Sequence, residues 1–515
     1  MSRFLPKNPV GLPAGITGIR SFAQKVTCWF LNIADSHSPI ANVAAWPFPT
    51  FCAIKSFAPD LQAWKNRNVT FPTSPLQVEL RRSLRRELVL ARTQTDRLFE
   101  MLAPLAIYER PIPERHRIVF YLGHLEAFDW NMICGMSFGA SSFNSQFDRL
   151  FAFGIDPIDG KLPQDTLADW PPLEEIHSYN RRVRHTVDRF LDRAALVNSR
   201  EPFVENGQIF RVAIEHRLMH AETLAYMLHW LPYDMKCAGD RPRIPAGIRG
   251  LSPADAVDIP AGVATLGRET DGPFSFGWDN EFDTHKAFVP EFSMDTFNVT
   301  NGQFIEFVRS GGYEQRSLWS DDAWEWIQVS GTRHPKFWVQ RGEDWFYRSM
   351  FGEIPLPLSW PVYVSHAEAQ AYARRAGKSL PTEAQYHRAA FGSRDGVERL
   401  YPWGEAAPGP SHGNFNFRSW TPRPVDAFPA SRSAFGVFDL MGNGWEWTST
   451  PFGPFPGFNP FPFYPGYSAD FFDGKHFVMK GGSPRTSALL LRRSFRNWFQ
   501  PNYPNTYATF RCVEN

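Results

Sequence analysis

The chain has almost no net charge and no long hydrophobic run. Its 515 residues include 54 basic and 53 acidic side chains, a formal charge of +1, so no basic field is present to bind nucleic acid or an anionic membrane. No uninterrupted apolar run approaches the roughly 20 residues that a membrane-spanning helix needs. We therefore expect a cytoplasmic protein without nucleic-acid or membrane partners.

Cysteine is also scarce, and no CxxC pair occurs. The cysteines are odd in number and widely spread, which argues against a disulfide framework or a zinc knuckle and favours a reducing compartment. Their positions are Cys28, Cys52, Cys134, Cys237 and Cys512.

Aromatic residues and proline are abundant instead. Aromatics make up 15% of the chain, with 18 Trp and 46 Phe, and there are 44 Pro. This composition favours irregular loops around an aromatic-lined small-molecule site over a protein of long helices. The length predicts two domains, each with its own apolar core. The oligomeric state is left open.

The first 74 residues are predicted to be an N-terminal extension that is disordered or irregular. Between Met1 and Pro59 the only acidic residue is Asp35, against five basic residues. This balance would also suit an organelle transit peptide, and a start codon placed too early would give a similar segment. The sequence leaves these alternatives open.

Residues 75–235 have the pattern of an antiparallel four-helix bundle. Helical periodicity, length and charge predict four segments of bundle length with loops between them. The core of such a bundle is a natural place for metal ligands that project from facing helices. The predicted helices cover 74–101, 115–138, 175–197 and 206–231.

A change in composition follows the predicted bundle. Residues 236–258 carry a density of Gly and Pro that no helix tolerates, and we interpret them as a linker. Beyond it, residues 259–515 combine short strand-like pieces with predicted helices at 301–310 and 365–376. The pattern is that of an irregular α+β domain without an internal repeat.

A histidine pair on the fourth predicted helix is the candidate metal site. His216 and His220 are four residues apart, so their imidazoles lie about 40° apart on one helix face. Glu222 lies about 200° around the helix from His220, which favours a supporting or structural role. A third ligand must come from another helix, and the candidate is His124. Spacing alone leaves both a metal site and ordinary packing open, and imidazole suits iron and zinc equally.

The two halves of the chain together resemble a known family. Gly123-His124 followed by His216-x3-His220-x-Glu222 resembles the DinB-like helical domain of EgtB-type sulfoxide synthases, the hercynine oxygenases of ergothioneine biosynthesis. The second half resembles the formylglycine-generating-enzyme domain, which has a C-type-lectin-like fold. The matching pieces of the second half are Asp295–Asn301, Phe307–Tyr313, Leu380–Ala384, Tyr401–Gly404, Met441–Thr448, Gly481–Ser483 and Phe510–Val513.

The combination of domains carries the functional expectation, because the second fold alone hosts several functions. A formylglycine-generating enzyme needs a cysteine pair near its C-terminus, and Cys512 is the only cysteine beyond Cys237. The resemblance to EgtB implies Fe(II) held by His124, His216 and His220. It also implies O2, hercynine and a cysteine-type thiol donor as small-molecule partners, joined through a carbon–sulfur bond in a sulfoxide.

The resemblance also assigns roles to residues of the C-terminal half. Tyr464 and Tyr467 match the spacing of paired tyrosines in one subtype, in which the first is the proton donor, and Tyr467 is expected to contact substrate. Arg496, Asn497 and Trp498 match a substrate-facing stretch. An aromatic face there suits the quaternary ammonium of hercynine.

Two departures from the family pattern leave the substrates open. Phe499 stands where one subtype has Asp, and Met219 stands where that subtype has Gln. The donor could be γ-glutamylcysteine, cysteine or a selenium compound. Alternative functions are an ovothiol-type 5-histidylcysteine sulfoxide synthase, a selenoneine synthase, a zinc- or nickel-dependent thiol transferase, or a non-catalytic small-molecule-binding scaffold.

Overall fold

The computed structural model describes residues 74–152, 163–237, 256–269 and 272–515. All of them belong to one compact unit, residues 65–515. The predicted extension, apart from Ser74, and most of the predicted linker lie outside the described residues. Among the described residues, no helix has both the length and the apolar character needed to cross a membrane.

The N-terminal half of the described chain is helical. Its first helix begins with Pro75 at the position where a missing N–H costs nothing, and the Ser74 hydroxyl accepts from the Gln77 N–H at 3.2 Å. The helices of this half are α1 Pro75–Glu100, α2 Ile118–Asp129, α3 Ser145–Leu150, α4 Leu173–Arg193 and α5 Gln208–Trp230.

The burial of these helices follows their sequence patterns. On α4 the buried positions Ile176, Tyr179, Val183 and Val187 recur every three or four residues, so one face enters the core. Helix α2 differs, because all of its residues are buried. A helix enclosed on every side can hold a polar side chain in the interior, and His124 lies on it.

The second predicted helix, 115–138, is not one α-helix. After Asp129 the chain continues as a π-helical segment, Trp130–Ser137, in which the Phe138 N–H donates to the Ile133 carbonyl, five residues back, at 3.2 Å. Single π turns inside helices are rare and often lie near functional sites. Apolar periodicity does not distinguish such a turn from a regular helix, which explains the difference.

The C-terminal half contains the described strands. Four antiparallel or mixed sheets form among them, with strand orders β1-β4-β12, β10-β9-β8-β11, β2-β3 and β5-β6-β7. The strands are β1 Ala256–Ile259, β2 Gly262–Leu266, β3 His285–Val289, β4 Phe292–Asp295, β5 Trp338–Arg341, β6 Asp344–Arg348, β7 Glu353–Pro355, β8 Gly444–Pro451, β9 Phe477–Gly482, β10 Asn497–Phe499, β11 Ala508–Thr509 and β12 Val513–Glu514.

The helices of this half include both predicted ones. Helices α6 Asn301–Arg309 and α8 His366–Arg375 match the expected positions. Helix α9 Glu383–Phe391 was missed, although Thr382 and Gln385 form a capping box that marks its start. Two further helices are α7 Asp321–Ser330 and α10 Gly466–Ala469.

The two halves share one continuous apolar core, and helix α5 lies at their junction. The Glu222 carboxylate accepts hydrogen bonds from Trp445 Nε1 at 2.8 Å, from Thr486 Oγ1 at 2.8 Å and from the Ser483 hydroxyl. One buried carboxylate of the bundle thus anchors strand β8 and the segment that follows β9. This places the histidine-bearing helix directly against the C-terminal half.

A second polar junction lies about two turns earlier on α5. Glu215 forms an ion pair with Arg492 at 2.7 Å, and Trp278 Nε1 donates to Glu215 at 2.9 Å. Arg492 also pairs with Glu281. Loops of the C-terminal half are thereby fixed against the same turn of α5 that carries His216.

Candidate metal centre

Three histidines converge where α2 faces α5. His216 and His220 project from the same face of α5, and His124 projects from α2. The Nε2 atom of His220 lies 3.0 Å from Nε2 of His216 and 3.2 Å from Nε2 of His124. Within the described ranges this is the group of ligand-type side chains that comes together, and it contains no carboxylate.

The orientation of His124 is set by its backbone partner. Its Nδ1 lies 2.7 Å from the Phe151 carbonyl oxygen. A carbonyl only accepts, so Nδ1 carries the hydrogen and Nε2 presents a lone pair to the other histidines. Gly123 permits this contact, because a Cβ there would lie 2.5 Å from the Phe151 ring.

Burial keeps the three imidazoles uncharged. Each side chain is about 5% exposed. Desolvation lowers the pKa of His124 to about 4, and it lowers the pKa of His216 and His220 well below the usual value. Neutral imidazoles are the form that binds metal ions. The Nδ1 atoms of His216 and His220 have no hydrogen-bond partner among the described residues, while the Nε2 atoms of the three rings converge, so the donor set fits a metal.

The nitrogen separations allow one ion to reach all three rings. The atoms of the triad that could bind a metal all lie within 4.8 Å of one another. Imidazole nitrogens suit both iron and zinc.

Aromatic rings enclose the centre. Phe128 stacks on His216 with ring centroids 3.5 Å apart and planes at 10°, and Phe120 stacks on His124 at 4.8 Å. Phe128 also lies 5.7 Å from the Tyr464 ring, measured between ring centroids. Tyr464 is therefore one ring removed from a candidate ligand.

Tyr467 lies beside Tyr464 and contacts the same turn of α5. The two tyrosine rings are 5.5 Å apart, and the Tyr467 hydroxyl lies 3.4 Å from Sδ of Met219, the residue before His220. Burial and neighbouring carboxyl groups raise the pKa of Tyr467 well above its usual value. Tyr467 therefore stays protonated. Trp278 stacks on it at 3.9 Å.

Strand β10 supplies the other side of this aromatic group. Trp498 lies edge-to-face with Tyr467 at 5.6 Å and stacks on Phe452 at 4.1 Å. Asn497 precedes it in the strand and pairs with Met479 of β9. The structure thus brings Trp498 and Asn497 to the same neighbourhood as the paired tyrosines.

Arg496 lies deeper in the domain. It is 3% exposed, its Nε donates to Glu383 at 3.1 Å, and its Nη1 donates to the Gly453 carbonyl at 2.9 Å. The guanidinium also packs 4.9 Å from the Phe452 ring, on which Trp498 stacks. This arrangement braces the strand that carries Asn497 and Trp498.

Comparison with known proteins identifies the family. Residues 246–515 match the family model described as a sulfatase-modifying factor enzyme 1-like domain. The hercynine oxygenase of Mycolicibacterium smegmatis is 32% identical over 431 residues, which cover 82% of this chain and 96% of that protein. The chain belongs to the hercynine oxygenase family.

Other relatives agree with this assignment. The hercynine oxygenase of Mycobacterium tuberculosis is 36% identical over 326 residues, covering 62% of this chain and 75% of that protein. Ergothioneine biosynthesis protein 1 of Neurospora crassa is 28% identical over 503 residues, covering 81% of this chain and 56% of that protein. The expected fold class, a helical bundle followed by a formylglycine-generating-enzyme-like domain, is confirmed, as is the resemblance to EgtB-type enzymes.

In this member of the hercynine oxygenase family, the sequence analysis missed several residues that surround the candidate metal centre. Phe128 was detectable, since it follows His124 by four residues and shares its helix face. Trp278 was not detectable, because no local pattern links it to Tyr467, which lies far along the chain. The roles of Tyr464, Tyr467, Arg496, Asn497 and Trp498 stay predictions.

Proposed function

We propose that this protein is an iron(II)- and O2-dependent sulfoxide synthase that joins hercynine to a cysteine-type thiol through a carbon–sulfur bond. The observation that carries the proposal is the buried triad of neutral histidines without a carboxylate, set against two tyrosines and a tryptophan of the second domain. The names of its relatives, hercynine oxygenase and ergothioneine biosynthesis protein, support the same reaction.

His124, His216 and His220 would hold the iron. Three neutral nitrogen ligands add no negative charge and leave other coordination positions open. Bound iron would supply sites for O2 and for the thiolate sulfur. The rings of Phe128 and Phe120 stack on His216 and His124 and cover part of the triad.

Tyr464 is the proposed proton donor. It belongs to the C-terminal half and lies one aromatic ring from His216. The reaction reduces oxygen and therefore needs a proton, and a positioned phenol can deliver it. Tyr467, with its hydroxyl at Met219, would hold substrate beside it.

Hercynine would lie against Tyr467 and Trp498. The perpendicular rings of these residues offer electron-rich faces to a trimethylammonium group, and the Asn497 amide can bond to a polar group of the substrate. Arg496 contributes by fixing strand β10 through Glu383 and the Gly453 carbonyl.

The identity of the donor is the open part of the proposal. Phe499 stacks on Tyr503 at 5.1 Å, so an aromatic pair fills the place where one subtype has an acidic side chain. The side chain of Met219, unlike that of glutamine, has no N–H to donate to a substrate. γ-Glutamylcysteine and cysteine are both candidates, with a selenium donor or free histidine as alternative substrates.

A substrate panel tests the proposal. The protein is loaded with Fe(II) without oxygen, mixed with hercynine or histidine and each donor in turn, exposed to O2, and analysed by mass spectrometry. We expect a sulfoxide product with hercynine that requires both iron and O2. Absence of coupled product with every pair would overturn the proposal, and turnover with zinc in the absence of O2 would indicate a thiol transferase instead.

The scaffold alternative makes a different prediction. If the protein binds no stoichiometric metal and His220→Ala leaves its stability and ligand binding unchanged, a non-catalytic role is favoured. Metal analysis of the purified protein and of this variant separates the two readings before any substrate is added.

A further inference from the structure

A buried arginine lies on α5 between the two candidate ligands of that helix. Arg217 follows His216 directly and is 0% exposed. Its Nη2 donates to Glu126 Oε2 at 2.8 Å, to Asp129 Oδ2 at 2.9 Å and to the Leu125 carbonyl at 3.1 Å. These three partners all lie on α2, the helix that carries His124.

The network continues to the other two long helices of the bundle. The second oxygen of Glu126 accepts from Arg184 Nε of α4 at 2.8 Å. Arg184 also donates two hydrogen bonds of 2.7 Å to the carboxylate of Asp96 on α1. Arg217 Nη1 lies 3.4 Å from Thr95 Oγ1, also on α1. Four helices are therefore tied together at one level of the bundle.

This level of the bundle is also the level of the metal centre. Glu126 is two residues from His124, and Arg217 is one residue from His216. A helix rises only about 1.5 Å per residue and is stiff over such a distance. A contact that fixes Glu126 relative to Arg217 therefore fixes His124 relative to His216 and His220.

Stability alone does not account for the network. Removing several charges from water is expensive, and apolar residues of similar volume commonly stabilise a core at least as well as a buried ion pair. Hydrogen bonds are directional, so they fix the distance and the rotation between two helices more closely than apolar packing does. The position beside the ligands suggests that this is what the network provides.

We infer that Arg217, Glu126 and Asp129 are positioning residues of the metal centre, which hold α2 and α5 so that the three Nε2 atoms meet at metal-binding distance. Hydrogen bonds to a ligand side chain are commonly worth 10- to 100-fold in metal affinity, and we expect a comparable loss when the helices that carry the ligands are released from each other. The inference rests on the proposed function only in requiring that the triad binds a metal.

The bundle offers a matched control. Arg92 of α1 pairs with Asp188 of α4 at 2.7 Å, and Asp188 is 47% exposed. Neither helix carries a ligand. Asp188→Asn therefore removes an interhelical ion pair of the same domain while every hydrogen bond of Arg217 stays in place.

The test measures metal affinity and ligand geometry rather than turnover. Fe(II) and Co(II) are titrated anaerobically into the full chain and into Glu126→Gln, Asp129→Asn, Arg217→Lys and Asp188→Asn, with the unfolding of each metal-free protein measured in parallel. We expect about 10- to 100-fold weaker binding for Glu126→Gln and Arg217→Lys, and a changed visible spectrum of bound Co(II). Asp188→Asn should bind metal as the natural protein does.

The outcomes separate the inference from the proposal on which it rests. If the natural protein binds no metal, the proposed function fails. If it binds metal and the network variants lose only stability, with unchanged affinity and Co(II) spectrum, the positioning role is wrong. Should Arg217→Lys not fold, Glu126→Gln keeps the shape of the side chain and gives the same decision.

Discussion

Buried, uncharged histidines occur in both halves of the molecule, but their ring nitrogens face different partners. In the C-terminal half, His366 donates from Nε2 to the Thr448 carbonyl at 3.0 Å, and His387 donates from Nδ1 to the Thr265 carbonyl at 3.3 Å. In the bundle, the Nε2 atoms of His216 and His220 face each other at 3.0 Å. Burial lowers the pKa of all four.

The difference shows that a depressed pKa does not by itself mark a functional histidine. A carbonyl satisfies an imidazole N–H, so His366 and His387 are explained by packing. The Nε2 atoms of His216 and His220 instead face each other and His124, and their Nδ1 atoms have no hydrogen-bond partner among the described residues, an arrangement that suits a shared metal ion. The partner of the nitrogen, rather than the burial of the ring, distinguishes the candidate metal centre.

Removing one candidate ligand is the strongest test of the difference between the two kinds of buried histidine. His220→Ala should weaken metal binding by more than about 100-fold, because a direct ligand contributes more than the outer contacts of the centre. Metal content after anaerobic loading measures the loss. The control is His229→Gln on the same helix, since His229 bonds to the Arg348 carbonyl and faces the Tyr507 hydroxyl.

Equal metal content in the two variants would contradict the comparison. His229→Gln should lower stability while retaining metal, because it removes packing and a hydrogen bond away from the triad. A variant of His229 that loses metal as completely as His220→Ala would mean that the centre is misplaced.

Replacing Tyr464 tests whether its hydroxyl takes part in the reaction. Tyr464→Phe should lower the rate of sulfoxide formation by about 10²- to 10⁴-fold, the range for a lost proton donor. Metal affinity should not change, because Tyr464 is separated from His216 by Phe128.

Tyr467→Phe is the matched control for Tyr464. It removes a neighbouring hydroxyl that contacts Met219, so we expect its larger effect in KM rather than in kcat. Steady-state kinetics of both variants decide the assignment, and a rate for Tyr464→Phe near that of the natural protein would remove Tyr464 from the mechanism.

The two halves meet at Glu222, and its removal should uncouple them. Glu222→Ala leaves the buried donors of Trp445, Ser483 and Thr486 without their acceptor. We expect a loss of about 3–5 kcal/mol in the free energy of unfolding, because each buried donor left without an acceptor costs about 1–3 kcal/mol.

Urea unfolding of the metal-free protein measures this loss. Glu222→Gln keeps one acceptor oxygen and should fall between the natural protein and Glu222→Ala. Equal stability of all three would mean that the junction depends on apolar packing alone.

The last prediction concerns a histidine that packing explains. Burial lowers the pKa of His366 to about 3, so the unfolded chain takes up a proton below about pH 6.5 while the folded protein does not. Stability is therefore fully present above about pH 6.5 and falls toward pH 3, by about 1.4 kcal/mol per pH unit for this histidine.

His366→Gln should reduce that slope, measured by urea unfolding at a series of pH values. The control is Phe477→Leu, which removes the ring stacked on His366 at 3.9 Å but keeps the titrating group. It should lower stability with less effect on the slope, and identical slopes for His366→Gln and the natural protein would refute the assignment.

Much of the local structure follows from the sequence. The limits of α6 and α8 agree with their predicted ranges within a residue, because apolar periodicity and capping residues are local signals. The π segment after Asp129 and helix α9 were missed. The first depends on a change in backbone hydrogen bonding that leaves the hydrophobic pattern intact, and the second has a capping signal in a short, nearly fully buried helix.

The sequence by itself determined that His216 and His220 share a face and that Glu222 points elsewhere, because positions on one helix follow from 3.6 residues per turn. Only the tertiary structure decided that His124 meets them, since 92 residues separate it from His216 and no periodicity spans two helices. The same holds for Glu222 with Trp445 and for Trp278 with Tyr467. Contacts between distant segments depend on the packing of whole elements, which local sequence patterns do not specify.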